Sequence, residues 1–198
     1  MDPGFGVAAS DGDVVWSGYE VHELSKAFDE LTPSEARSLF ARLMDGRSER
    51  AEMIARFARA NGLRWSGKEE DLQPLNDLFI EGVDFYADSG LPTYSWVSIA
   101  WDVALLVGDF AIARDPHLKW AIGRGGKRMQ GFQSPVIVGH PGAVPGYQAA
   151  PFILLQRYVA HCAVVKWDPI TARSAPRPDM FVRAIDGVVK SVQPNKMD

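Results

Sequence analysis

The sequence predicts an α+β fold: a helical N-terminal half and a central buried helix packed on a small, mainly antiparallel sheet. Three observations predict it. Val97 to Ala113 is the longest predominantly apolar run in the 198 residues, and a helix that is apolar nearly all round is buried on several sides. Upstream of it, apolar residues recur at helical spacing. Downstream of Pro116 the pattern shifts to alternation, a short β-branched run and glycine–proline turns.

Composition bounds the function. Apolar residues make up 46% and charged residues 23%, ordinary usage for a folded domain and too apolar for general disorder. The formal net charge of −4 gives no electrostatic reason to expect nucleic acid as a partner. The single cysteine, Cys162, precludes an intrachain disulfide and fits a reducing compartment. The N-terminus, MDPGFGVAASDGDVV, lacks the basic-then-apolar plan of a secretory signal, so the cytoplasm is expected. A membrane-spanning helix needs about 20 apolar residues. The central run is shorter and carries Asp102 and Asp109, so no span is expected.

Residues 1–13, rich in Gly, Ala, Asp and Ser, read as a mobile segment, and 14–198 as one domain. Val14 to Trp16 reads as a short strand or a docked arm. From Tyr19, Val21, Leu24, Ala27, Phe28 and Leu31 share a helical face, which predicts a first helix. Thr32-Pro33-Ser34-Glu35 is a capping box with proline at the first helical position. Its helix buries Leu39, Phe40 and Leu43 and ends near Gly46. A further helix over about Ser48 to Ala60 ends at Asn61-Gly62, where glycine accepts the left-handed conformation. Ser66-Gly67-Lys68-Glu69 is a second capping-box candidate. Pro74, inside an apolar stripe, predicts a short turn and a new helix starting there. Glu81 to Tyr94 reads as a loop.

Asp115-Pro116 stops the central helix, because proline disfavours helical geometry in the residue before it. Leu118, Trp120 and Ile122 then alternate with His117, Lys119 and Ala121, as in a half-buried strand. Arg124 to Arg128 forms a basic glycine turn, Pro135 to Val138 is a short β-branched run, and His140 to Gly146 reads as a loop. Phe152 to Val165 fits helix or strand, with length favouring helix. Trp167 to Pro178 is proline-rich and reads as a linker or surface loop. Asp179 to Val189 reads as a last helix stopping near Gly187, or as a strand.

Few residues point to chemistry. Asp102 and Asp109, seven apart on the central helix, lie on nearly the same face. Paired carboxylates can bind a metal or divide acid and base roles, but no further carboxylates or histidines at ligand spacing accompany them. The reading preferred here is that they mark the helix's one wet stripe or pair with nearby arginines, since buried charges are normally paired. Gly108 costs about 1 kcal/mol against alanine inside a helix, which a close helix crossing would offset. Arg124, Lys127 and Arg128 only superficially resemble a phosphate loop, because Lys127 is followed by Arg128 and not by Ser or Thr. His161 and Cys162 are neighbours and point different ways on a helix, and Cys162 reads as core. Trp16, Trp65 and Trp167, near expected element ends, are candidate anchors for a partner. No metal or cofactor is expected.

The segment NGLRWSGKEEDLQPLNDLF, the mid-helix Gly108, then DPHLKW and PVIVG resemble a loose group of uncharacterised bacterial proteins, some of them suspected immunity proteins of polymorphic toxin systems. The likeness runs over roughly residues 50 to 140. The group often has Glu after the helix glycine, where this chain has Asp109. The shared residues are structural, so no catalytic residues carry over.

The expected function is therefore a non-catalytic bacterial protein that binds another protein, with toxin neutralisation implied by the resemblance. Its expected contact surface is the acidic patch Glu69, Glu70 and Asp71, facing a basic partner. The alternative is a small enzyme or ligand-binding domain with a pocket beside the central helix, built from Asp102, Asp109, Arg114 and His117.

Overall fold

In the computed structural model, which describes residues 8–9, 14–23, 26–170, 172 and 174–190, the Thr32 capping box forms as predicted. Thr32 Oγ1 accepts the Glu35 amide at 3.3 Å, and Glu35 Oε2 accepts the Thr32 amide at 2.6 Å. Lys26 donates to the same carboxylate at 2.8 Å. This bond from Lys26, followed by those from Thr32, holds the Glu35 carboxyl down at about 2. Helix α1 spans Pro33–Asp45 and buries Ala36, Leu39 and Leu43. Phe40, expected inside, is only half-buried. Helix α2, Arg47–Ala60, ends at Asn61, with Gly62 at φ 77°.

The helix expected from Tyr19 is absent. Among the described residues of that stretch only Phe28–Glu30 turns, as one short 3₁₀ segment; Leu24 lies outside the described residues. Tertiary polar contacts override the apolar spacing: the His22 amide donates to Ser98 Oγ at 2.7 Å, and the Tyr19 and His22 side chains go to Asp102. The preceding arm docks without forming a strand. Asn61 Oδ1 accepts the Val15 amide at 2.8 Å, and Asn61 Nδ2 donates to the Val15 carbonyl at 3.0 Å.

The second capping box also gives way. Glu69 does not cap Ser66; the buried Asp71 does the equivalent work from farther along. Its Oδ2 accepts the amides of Ser66, Gly67 and Lys68 at 2.7, 2.7 and 3.1 Å and the Ser66 hydroxyl at 3.0 Å. A 3₁₀ turn, Glu69–Asp71, leads into α3, Leu72–Gly82. The helix starts two residues before Pro74, whose missing N–H falls in the first turn, where amides have no helical partner. Within the predicted loop, Phe85–Tyr86 (β2) pairs antiparallel with Ala8–Ala9 (β1). The rest of the segment 1–13 lies outside the described residues.

Helix α4, Tyr94–Arg114, is the hub, packed by α5 (Pro151–Trp167), α6 (Met180–Val189) and α2. It is long and apolar enough to cross a membrane, and 67% of its most apolar stretch is buried inside the protein. Strands β3, Lys119–Ile122, and β4, Pro135–Val138, pair antiparallel with Trp120 opposite Ile137. The far side of β4 is bridged by Ala149. Residues 152–165 are helix, and α6 runs through Gly187 instead of stopping there. The α+β class thus stands.

The core is aromatic-rich: Trp96, Phe57, Phe79, Phe152 and Phe181 are fully buried. Phe79 meets Trp96 and Phe181 edge-on, at ring distances of 5.0 and 4.9 Å. The fully buried Asn76 ties three helices together. Its Nδ2 donates to Tyr158 Oη at 3.1 Å and to the Pro178 carbonyl at 2.7 Å, and its Oδ1 accepts the Phe181 amide at 3.2 Å. That last bond satisfies a buried donor at the start of α6 that has no partner within the helix.

Candidate functional site

Each of the four residues of the expected pocket has its own partners. Asp102 is fully buried on α4 and receives an array of donors. Arg50 of α2 grips it bidentately, Nε to Oδ1 at 2.7 Å and Nη2 to Oδ2 at 2.5 Å. Tyr19 Oη donates to Oδ2 at 2.5 Å, and His22 Nε2 lies 2.6 Å from Oδ1. Burial, then the Asp102 charge, pushes the Tyr19 phenol well above its ordinary pKa. The cluster latches residues 19–22 onto α4 and α2. Asp and His at this distance are a pairing familiar from acid–base chemistry, but here the carboxylate is saturated and sealed from solvent.

Asp109 accepts Arg47 Nη1 and the Trp120 indole N–H, both at 2.8 Å. Arg114 bridges Glu69 and Asp186. His117 is exposed and bonded to Asp115 at 2.9 Å. Both aspartates of α4 are arginine-paired, one of the two ordinary readings of the sequence; the other, a wet stripe, does not hold for the buried Asp102.

The acidic patch divides by role. Asp71 is inside the turn that starts α3, Glu69 is tied to Arg114, and only Glu70 is freely exposed, with Lys68 at 4.0 Å. Among the described residues no group of three or more His, Cys, Asp or Glu is arranged to hold a metal ion. Cys162 is buried, and burial pushes its thiol up to about 12.

A different place collects binding features. Between α1 and the β3–β4 hairpin runs a hollow of about 1150 Å³. Pro33, Ala36, Arg37 and Phe40 face it, at the i, i+3, i+4, i+7 spacing of one helix face. From the hairpin, Lys119, Ala121 and Val138 face it, because Trp120 between them turns inward onto Gly108. Arg124, Phe132 and Tyr147 also line it. Among the described residues its lining carries Arg37, Lys119 and Arg124 and no carboxylate. None of the three cations has an ion-pair partner among the described residues. Across the basic turn, a smaller hollow of about 350 Å³ holds Lys127, Arg128 and Arg157 with one acid, Asp29.

The sequence carried partial signals of this groove: the basic turn, Phe40 on a helix face, and the Lys119/Ala121 alternation. Nothing local joins α1 to a strand some eighty residues later. Comparison with protein-family models, with curated proteins and with solved structures gave no match to this chain.

Proposed function

We propose that this chain is a non-catalytic binding protein of bacterial origin that acts in the cytoplasm by holding another protein, as an immunity protein holds and neutralises its cognate toxin. The observation that carries the binding part is the groove between α1 and the hairpin, lined by apolar side chains together with three cations that have no ion-pair partner among the described residues. Aromatic or aliphatic pockets with charged borders are where protein partners concentrate their binding energy. The resemblance of residues 50 to 140 to suspected immunity proteins supports the toxin part. The ionisable groups of α4 are spent on holding the fold, which fits a protein whose work is done at its surface.

The test is co-expression of the full chain with the product of each gene flanking its own, scored by growth and by titration calorimetry on the purified pair. A toxic neighbour silenced by a stable complex is the expected result. Two neighbours that neither harm cells nor bind the chain would overturn the reading.

A further inference from the structure

We propose that the groove between α1 and the β3–β4 hairpin is the partner's seat, and that it takes an acidic segment of that protein carrying an apolar anchor side chain. This rests on the binding reading above and reverses the charge expected of the contact. The sequence pointed to an acidic surface, Glu69 to Asp71, against a basic partner. In the structure two of those three carboxylates hold its own fold, whereas the groove's cations have no ion-pair partner among the described residues.

Charge complementarity selects the occupant. The chain has 25 Asp and Glu against 21 Lys and Arg, yet the groove's charged lining is Arg37, Lys119 and Arg124 alone. That is a local inversion of the chain's overall sign. It attracts a carboxylate-bearing segment while the acidic remainder repels an extended polyanion. The same lining includes Ala36, Phe40 and Val138, which offer an aliphatic or aromatic side chain a place to leave water. At about 1150 Å³ the hollow exceeds the roughly 300–1,000 Å³ typical of small-molecule pockets. A peptide-like segment fills it better than a metabolite. Lysine and arginine here cost the fold little, since Arg37, Lys119 and Arg124 are exposed and form no ion pair among the described residues.

The probes are a fluorescein-labelled peptide of alternating glutamate and leucine, its lysine-for-glutamate counterpart, and a labelled oligothymidylate. Each is titrated into the full chain by fluorescence anisotropy at low and high salt, with amide shifts mapped by NMR. The expected result is saturable, salt-sensitive binding of the glutamate peptide, with shifts centred on α1 and β3 and no binding of the lysine peptide. Arg37→Glu, Lys119→Glu and Arg124→Glu together should weaken it at least about tenfold, as reversing charges at a charged interface does. The glutamine versions, which avoid new repulsion within the hairpin, should weaken it less. Shift mapping on the unaltered chain keeps the test valid should the triple variant unfold.

Absent binding of the glutamate peptide, equal binding of the lysine peptide, tighter binding of the oligonucleotide, or shifts away from the groove would each overturn the proposal. So would a natural partner held undiminished by the folded triple variant, though that result leaves the immunity reading intact. Conversely, groove binding of the glutamate peptide with no toxic neighbour would end the immunity reading and keep the groove.

Discussion

Gly108 of α4 and Trp120 of β3 fit so closely that a β-carbon built on the glycine would stand 2.0 Å from the Trp120 Cζ2 atom. The sequence predicts a close helix crossing at Gly108; the close contact comes instead from a strand's indole. The indole also donates to Asp109, the next residue on the helix, at 2.8 Å. Gly108→Leu should therefore lose about 1–3 kcal/mol by overpacking. Gly108→Ala should lose less, because alanine returns about 1 kcal/mol of helix propensity. Trp120→Phe removes the ring atoms that clash, so in a double-mutant cycle it should lower the cost of Gly108→Ala. Urea unfolding of the four proteins checks this, and strict additivity would mean the two residues are not in contact.

The Asp102 cluster makes the next prediction. Its carboxylate is fully buried, and Arg50 supplies its countercharge. Removing one partner of a buried ion pair costs about 3–5 kcal/mol, because the other charge stays desolvated. Arg50→Ala should show a loss of that size and should raise hydrogen exchange in residues 19–22. Tyr19→Phe, which removes one hydrogen bond to a charged group, should cost about 1.5–3 kcal/mol. Equal exchange rates in Arg50→Ala and the parent protein would show that the cluster does not hold the segment.

How much of this was legible in the sequence depends on how local the cause is. The α1 cap was readable because its donors and acceptors lie within four residues, and α4 because Asp115-Pro116 and an apolar surface suffice to define it. The helix expected from Tyr19 failed because the competing partners, Ser98 and Asp102, are more than seventy residues away. The Ser66 box failed more narrowly: the right kind of acceptor was expected at Glu69 and stands at Asp71, two residues on. The groove needs a helix face and a strand face from opposite halves of the chain, so only its pieces were visible.

Asp71 should leave a signature in acid. Burial acts to raise its pKa, and the hydrogen bonds from Ser66, Lys68 and Gly67 outweigh it, leaving the carboxyl below its ordinary value. A folded pKa below the unfolded one contributes stability that is present above the unfolded value, about 3.9, and lost as pH falls through the folded one. Stability should thus drop as pH goes from about 4 downward, and Asp71→Asn should flatten that part of the profile. Guanidinium unfolding at a series of pH values is the measurement; parallel profiles for the two proteins would contradict the assignment.

Cys162 should be silent until the protein opens. Its thiol is buried and pushed up to about 12 by burial, and the thiolate is the reactive form. Alkylation by iodoacetamide should follow global unfolding, tracking the denaturant curve seen by tryptophan fluorescence. Rapid labelling of the native protein would place the thiol in an accessible setting instead.

The acidic patch gives the last prediction, because it separates surface from scaffold within three consecutive residues. Reversing Glu69, Glu70 and Asp71 together confounds two effects: loss of a contact surface and loss of the turn that starts α3. The single reversals differ. Glu70→Lys changes a freely exposed side chain, and substitutions of that kind stay within about 0.5 kcal/mol. Asp71→Lys removes the acceptor of three amides and a hydroxyl and buries an ammonium in their place, so it should cost several times more or prevent folding. Glu69→Lys sets two cations together at Arg114 and should fall between them. Thermal melts order the three. Partner binding by Glu70→Lys then carries the functional information: undiminished affinity is expected if the seat is the groove, whereas a large loss in this folded variant would restore the acidic patch as the contact surface.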